Sequence, residues 1–168
     1  MGPETIDIIH RRRSIRQFRD TPLSAEDIHT ILSAGMTAPS AMNKQPWRLI
    51  LISDDEKKEK IAGIAMYAQM IRQSPLAVLA CYDERVAFQN YGIVDTAACI
   101  ENMLLAATAL GIGSVWTGVG ADEILEYRKL LGLPEQVVPL GLVIFGYSDT
   151  AFEVRDYFDG KKIHSNEW

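Results

Sequence analysis

Apolar positions recur along this chain with helical spacing in some stretches and as short unbroken runs in others, which predicts helices and strands in alternation. Ile6, Ile8 and Ile9 predict a short opening helix. Ser24-Ala25-Glu26-Asp27 has the form of a capping box with Asp in place of Glu, and it precedes Ile28, Ile31, Leu32 and Gly35 on one helical face. Thr37-Ala38-Pro39-Ser40 breaks that helix. Residues 47–52, rich in β-branched and aromatic side chains, then predict a strand. Asp54-Asp55 opens a charged helix with Ile61, Ile64 and Ala65 on its apolar side. From Pro75 a continuous apolar run reaches Tyr82, the pattern of a strand covered on both faces.

The longest helical segment spans residues 94–110 and is apolar on more than one side, through Ala97, Ala98, Ile100, Leu104, Leu105, Ala107 and Leu110. A helix of that kind is central or lies at a subunit interface. Gly111 and Gly113 end it, and residues 124–131 predict another amphipathic helix closed by Gly132 at the C-cap. Residues 140–145 predict a buried strand that Gly146-Tyr147 ends. The last stretch has little periodicity, yet it holds Tyr157, Phe158, Ile163 and Trp168. A tail so aromatic is not the composition of disorder, and it is expected to pack on this domain or on a partner.

A chain of 168 residues fits one domain, residues 1–168, with enough length to bury ~70% of the unfolded surface. The longest apolar run, residues 76–81, falls far short of the ~20 residues a membrane helix needs. No signal peptide is expected, because the first residues turn basic without an apolar core; Gly2 lacks the Ser or Thr at position 6 that myristoylation requires. Cys81 and Cys99 sit in apolar surroundings and read as buried thiols of a cytoplasmic protein. His10, His29 and His164 are too scattered for a metal motif, so no metal is expected.

Charge changes the picture at one place. The formal net charge is -5, yet Arg12-Arg13-Ser14-Ile15-Arg16 puts three guanidinium groups and a hydroxyl within five positions. Arginine presents a fixed fork of donors that matches phosphate oxygens, and a serine hydroxyl adds a neutral donor. The same cluster could equally be a solvated basic turn complementing a helix C-terminus. A second polar segment, Pro39-Ser40-Ala41-Met42-Asn43-Lys44-Gln45-Pro46-Trp47, offers donors and acceptors at Asn43 and Gln45 that suit the edge of a heterocycle. Its two prolines stiffen it, so it also reads as a rigid helix-to-strand connection.

Together these segments resemble the nitroreductase family of flavin enzymes, with its Arg-x-Ser-x-Arg type motif followed by a Pro-Ser-x-x-Asn-x-Gln-Pro-Trp loop. Residues 111–118, Gly-Ile-Gly-Ser-Val-Trp-Thr-Gly, are similar to a third flavin segment, and Gly146-Tyr147, Arg155 and residues 163–168 resemble the tail of short, single-domain members. The resemblance covers about residues 8–168. It implies an α+β fold with a central, mostly antiparallel sheet flanked by helices. It further implies a homodimer with two FMN sites at its interface, the C-terminal tail packing on the partner.

Residue by residue, Arg12, Ser14 and Arg16 match positions that hold the FMN phosphate and ribityl chain, with Arg13 between them at a position that often joins in. Pro39, Ser40, Met42 and Asn43 match the loop that reaches the isoalloxazine of the partner subunit's flavin. Thr117 and Gly118 match the segment whose backbone amides face flavin N5 and O4, and Arg155 matches a second phosphate cation. Thr117 stands where some members carry an acidic side chain, Glu153 and Asp156 make the surroundings of Arg155 less basic, and the short stretch 83–91 implies a reduced lid.

No nucleophile or acid–base pair is visible, so no catalytic side chain is expected; a flavin would supply the chemistry. The implied activity is FMN-dependent oxidation of NADH or NADPH with reduction of nitroaromatics, quinones or similar small acceptors in a ping-pong cycle. Other FMN chemistry on the same fold, such as reductive dehalogenation or flavin breakdown, is the nearest alternative. A non-enzymatic phosphate or nucleic-acid binding module using residues 11–16 is the other, and the acidic balance argues against nucleic acid.

Overall fold

The apolar run of strand β2 (Leu76–Asp83) is buried on both faces because alternate side chains enter opposite layers. Ala77, Leu79 and Cys81 enter one core and Leu76, Val78 and Ala80 the other. Strand β4 (Val137–Gly146) divides likewise, Leu142 and Ile144 against Val143 and Phe145. With β1 (Trp47–Ile52) and β3 (Gly113–Gly118) these strands form a four-stranded sheet in the order β1-β2-β4-β3, every neighbouring pair antiparallel. The computed structural model describes residues 3–150 and 154–168, so Gly2 and Glu153 lie outside the described residues.

Helices cover both faces, which makes the fold α+β. Helices α2 (Ala25–Met36) and α4 (Gly92–Ala109) press Ile31, Ile100 and Met103 onto one face, with α1 (Pro3–Arg11) beside α4. Helix α3 (Asp55–Ile64), the 3-10 turns of Met66–Gln73 and helix α5 (Ile124–Leu131) press Ile61, Ala68, Ile71 and Tyr127 onto the other. The capping residues act as their sequence suggests. Ser24 accepts from the Asp27 amide, Asp54 from the Lys57 amide, and Gly132 takes the left-handed C-cap at φ 67°.

Three elements differ from expectation. Strand β4 begins at Val137, not at residue 140, because Pro139 pairs with Cys81 where the β2–β4 register shifts; an irregularity tolerates a residue without an amide proton. Strand β3 was not predicted, since the glycines at both its ends read as breakers. The 3-10 turns of Met66–Gln73 have no periodic signature, and a kink at Ala68 divides them.

The longest helix is central, with Cys99, Ile100, Met103 and Ala107 fully buried, but its first turn leaves Ile93 and Val94 more than half exposed. Both thiols are free and buried, and burial pushes each up to about 12, so neither carries thiolate character. The tail from Val154 to Trp168 is exposed along its whole length on this chain. Its backbone is tied back to α1 by the Arg155 amide, which donates to the His10 carbonyl at 3.2 Å.

Candidate functional site

The arginine cluster leaves α1 as an extended segment fixed to the free edge of β3. The Ile15 amide donates to the Ser114 carbonyl at 2.9 Å, and Ser14 bridges Ser114 in parallel. Ile15 is 2% exposed and lies against Gly113, where an added Cβ would come within 2.9 Å of Cγ2. An extended chain alternates its side chains, so burying Ile15 turns Ser14 and Arg16 outward. They line a cavity of about 490 Å³ together with Arg12, Arg13, Thr150, Arg155 and Tyr157. The tail therefore brings Arg155 to the cluster, 139 positions after Arg16 (155 minus 16).

The cations in this cavity are not equally committed. Arg12 pairs with Glu101 of α4, Nε to Oε1 at 3.3 Å, and burial holds the Glu101 carboxyl above its ordinary range against the pull of Arg12. Arg155 donates to the Tyr157 hydroxyl at 3.1 Å. That bond holds the phenol below its ordinary range, helped by the charges of Arg155 and Arg13. Arg16 donates to the Ser14 carbonyl at 3.3 Å. Arg13 donates through Nη1 to the Arg12 carbonyl, but its Nε and Nη2 are buried without a partner. Four arginines round one cavity, the part-buried Arg13 among them with two donors unpaired, call for an anion.

Arg16 also lines a second cavity of about 540 Å³, with Met66, Tyr67, Gln69, Met70, Trp116, Thr117 and Gly118. Its floor is the outer half of β3. Ser114 gives its carbonyl to Ile15, away from β4, while Val119 donates to Leu140 at 3.1 Å. Antiparallel alternation then turns the amides of Ser114, Trp116 and Gly118 outward and those of Val115 and Thr117 toward β4. Of the two amides expected to face a ring, Gly118's points out of the sheet and Thr117's does not. The Thr117 hydroxyl is also engaged, with the Leu142 carbonyl at 3.3 Å. The Trp116 indole lies flat over β4 because Gly141 has no side chain: a Cβ there would be 2.0 Å from Nε1.

Pro39, Ser40, Met42 and Asn43 line neither cavity. Their loop has an unusual backbone, with Met42, Asn43 and Gln45 at φ 52°, 54° and 49°. Proline flanks it at both ends, and Ser40 Oγ accepts from the Gln45 amide at 2.9 Å. Met42 is 74% exposed at its tip. A further cavity near Phe18 contains Lys58 and Arg72, but Lys58 is paired with Asp55 and Arg72 with Glu59.

Several lining residues were not expected from sequence. Tyr157 was visible only as part of an aromatic tail, and Thr150, Met66, Tyr67 and Met70 carry no local signal that separates them from any loop or turn. Glu101 sits on the largely apolar α4, and its meeting with Arg12 is a matter of tertiary packing.

Comparison with known proteins bears on this arrangement. The model of the Nitroreductase family matches residues 9–85 and 65–147. A protein of Archaeoglobus fulgidus, provisionally named an NADH dehydrogenase/NAD(P)H nitroreductase, is 40% identical over 98% of this chain and 99% of its own. A crystal structure under the same provisional name from Parabacteroides distasonis is 32% identical and superimposes with a TM-score of 0.95, covering 99% of this chain and 100% of that one. A provisionally named nitroreductase of Desulfovibrio desulfuricans, solved in complex with FMN, gives a TM-score of 0.86 at 26% identity over 100% of this chain and 99% of that one.

Proposed function

Since this chain belongs to the nitroreductase family, we propose that it oxidises NADH or NADPH and reduces nitroaromatics, quinones or similar small acceptors through one FMN in a ping-pong cycle. The observation that carries the reading is the set of Arg12, Arg13, Arg16 and Arg155 round one cavity with Ser14 beside them, donors that fit the phosphate end of FMN. Arg16 lines both cavities, which places them side by side, as a molecule with its phosphate at the arginine cluster and its ring along β3 would need. Bound FMN supplies the two-electron chemistry that no side chain here provides.

The protein's own contribution is binding, orientation and electrostatics. The outward amides of Trp116 and Gly118 are fixed dipoles facing the second cavity, where they stabilise negative charge arriving on a ring edge. The Thr117 hydroxyl donates to the Leu142 carbonyl within the sheet. Arg12, Arg13, Ser14, Arg16 and Arg155 bind the phosphate end. Pro39, Ser40, Met42 and Asn43 lie outside both cavities of their own chain, and they complete the ring site of a second copy in a homodimer. We assign the enzyme to the cytoplasm, where NAD(P)H is available.

One site serving donor and acceptor in turn predicts parallel lines when initial rates at several quinone concentrations are plotted reciprocally against NAD(P)H. Anaerobic NAD(P)H alone is expected to bleach the yellow holoprotein. Converging lines would contradict the ping-pong order, and no bleaching with either nicotinamide would contradict the reductase itself.

The Arg12–Glu101 pair gives a second expectation. Glu101 neutralises part of the cation field while lying half exposed, and such a pair is worth ~0.2–1 kcal/mol. Glu101→Gln should release Arg12 toward phosphate and tighten FMN binding by up to about fivefold. Fluorescence titration tests it, and weaker binding in the variant would show that Glu101 is needed to hold Arg12 in place.

A further inference from the structure

The Ser40–Gln45 loop has a backbone that its own residues do not favour. Three non-glycine residues out of four consecutive positions take left-handed conformations, and such conformations persist only where the surroundings over-determine them. The Gln45–Ser40 bond at 2.9 Å and the Lys44–Ala41 bond at 3.1 Å lie within the loop. A restraint from outside comes from α4: the Ala41 amide donates to Asp95 Oδ1 at 3.1 Å, across 54 positions of sequence. Asp95 is 5% exposed, and its Oδ2 is buried without a partner. A carboxylate in that position is costly for the fold, and only in part does its place in the first turn of α4 offset the cost. An apolar residue would pack there more cheaply, as Cys99 and Ile100 do one turn further on.

We propose that Asp95 is a positioning residue, which holds the Ala41 amide and thereby sets the loop conformation that presents Ser40 and Asn43 to the flavin ring. This rests on the reading that the loop completes the ring site of a second copy. It adds a residue whose side chain meets no cofactor, yet on which the geometry of the ring contacts depends. Asparagine can supply the same acceptor through its carbonyl and place its amide nitrogen where Oδ2 lies. Alanine can supply neither. The donor can also be deleted from the loop side: Ser40, at φ -142° and ψ 152°, has the extended backbone that a following proline requires, and Ala41→Pro replaces the N–H by a ring carbon that also crowds Asp95 Oδ1.

The test uses intact holoprotein carrying Asp95→Ala, Asp95→Asn or Ala41→Pro. FMN affinity, the visible flavin spectrum and its midpoint potential are measured, with apoprotein melting as the control. Asp95→Ala and Ala41→Pro are expected to bind FMN roughly tenfold more weakly, with shifted flavin bands and potential, and Asp95→Asn to restore all three. If Asp95→Ala does not fold, Ala41→Pro compared with Asp95→Asn carries the test. Unaltered spectra, potential and affinity in Ala41→Pro, or Asp95→Asn behaving as Asp95→Ala, would overturn the proposal. Unaltered protein that takes up no FMN would instead overturn the reading beneath it, before any variant is compared.

Discussion

Arg13→Met is expected to bind FMN ten- to a hundredfold more weakly than the unaltered protein and, without cofactor, to be the more stable of the two. The first effect follows from losing a charge-assisted hydrogen bond worth ~1.5–3 kcal/mol. The second follows from the state of that side chain in the chain alone, where Nε and Nη2 are buried and unpartnered. Leaving such groups unsatisfied costs ~1–3 kcal/mol, and methionine fills similar space without polar atoms. In a domain of this size that corresponds to a rise of about 2–4 °C in melting temperature for each kcal/mol recovered. Riboflavin, which lacks the phosphate, should bind both proteins equally. Calorimetry of the apoproteins and fluorescence titration with both flavins check the set. Equal FMN affinity in the two proteins would remove Arg13 from the site.

Deleting residues 156–168 is expected to halve the mass in solution and to lose FMN with it. Tyr157, Phe158, Ile163 and Trp168 are all mostly exposed on their own chain, Trp168 at 99%. Aromatic side chains bury ~150–250 Å² each when covered, a large share of the ~800 Å² that each partner contributes to an interface of standard size. The exposed first turn of α4, with Ile93 and Val94, is a further apolar surface available to a second copy. A shorter deletion of residues 159–168 spares Arg155 and Tyr157, which line the arginine cavity, and so separates loss of the partner from loss of direct contacts. Sedimentation of the intact protein decides the premise: a folded, FMN-loaded monomer at micromolar concentration would end it.

Periodicity and capping were enough to find the elements whose stability is local. The Ser24 and Asp54 caps and the Gly132 terminator are each specified by residues within a turn of where they act. Strand β3 was hidden because its own glycines, Gly113 and Gly118, argue against a strand, whereas β1, which pairs at a similar sequence distance, carries an apolar run of its own. The arginine cavity was legible because an arginine cluster stands out in an acidic chain. Its internal hierarchy was not: that Arg12 is paired, Arg155 shared with Tyr157 and Arg13 unsatisfied depends on α4 and the tail arriving from far along the chain. Asp95 reads in sequence as one acidic residue opening a helix, and its bond to Ala41 exists only once α4 has docked.

The free edge of β3 also matters to a newly made chain. Beyond Ser114 this strand shows outward amides and carbonyls that no neighbouring strand covers, and a short open edge of that kind is a template for pairing with any other extended chain. Trp116 and the glycine at position 118 do not blunt it as a lysine or proline would. On the site proposed above, FMN lying along the edge would cover it, and riboflavin supply during synthesis is then expected to affect solubility as well as activity.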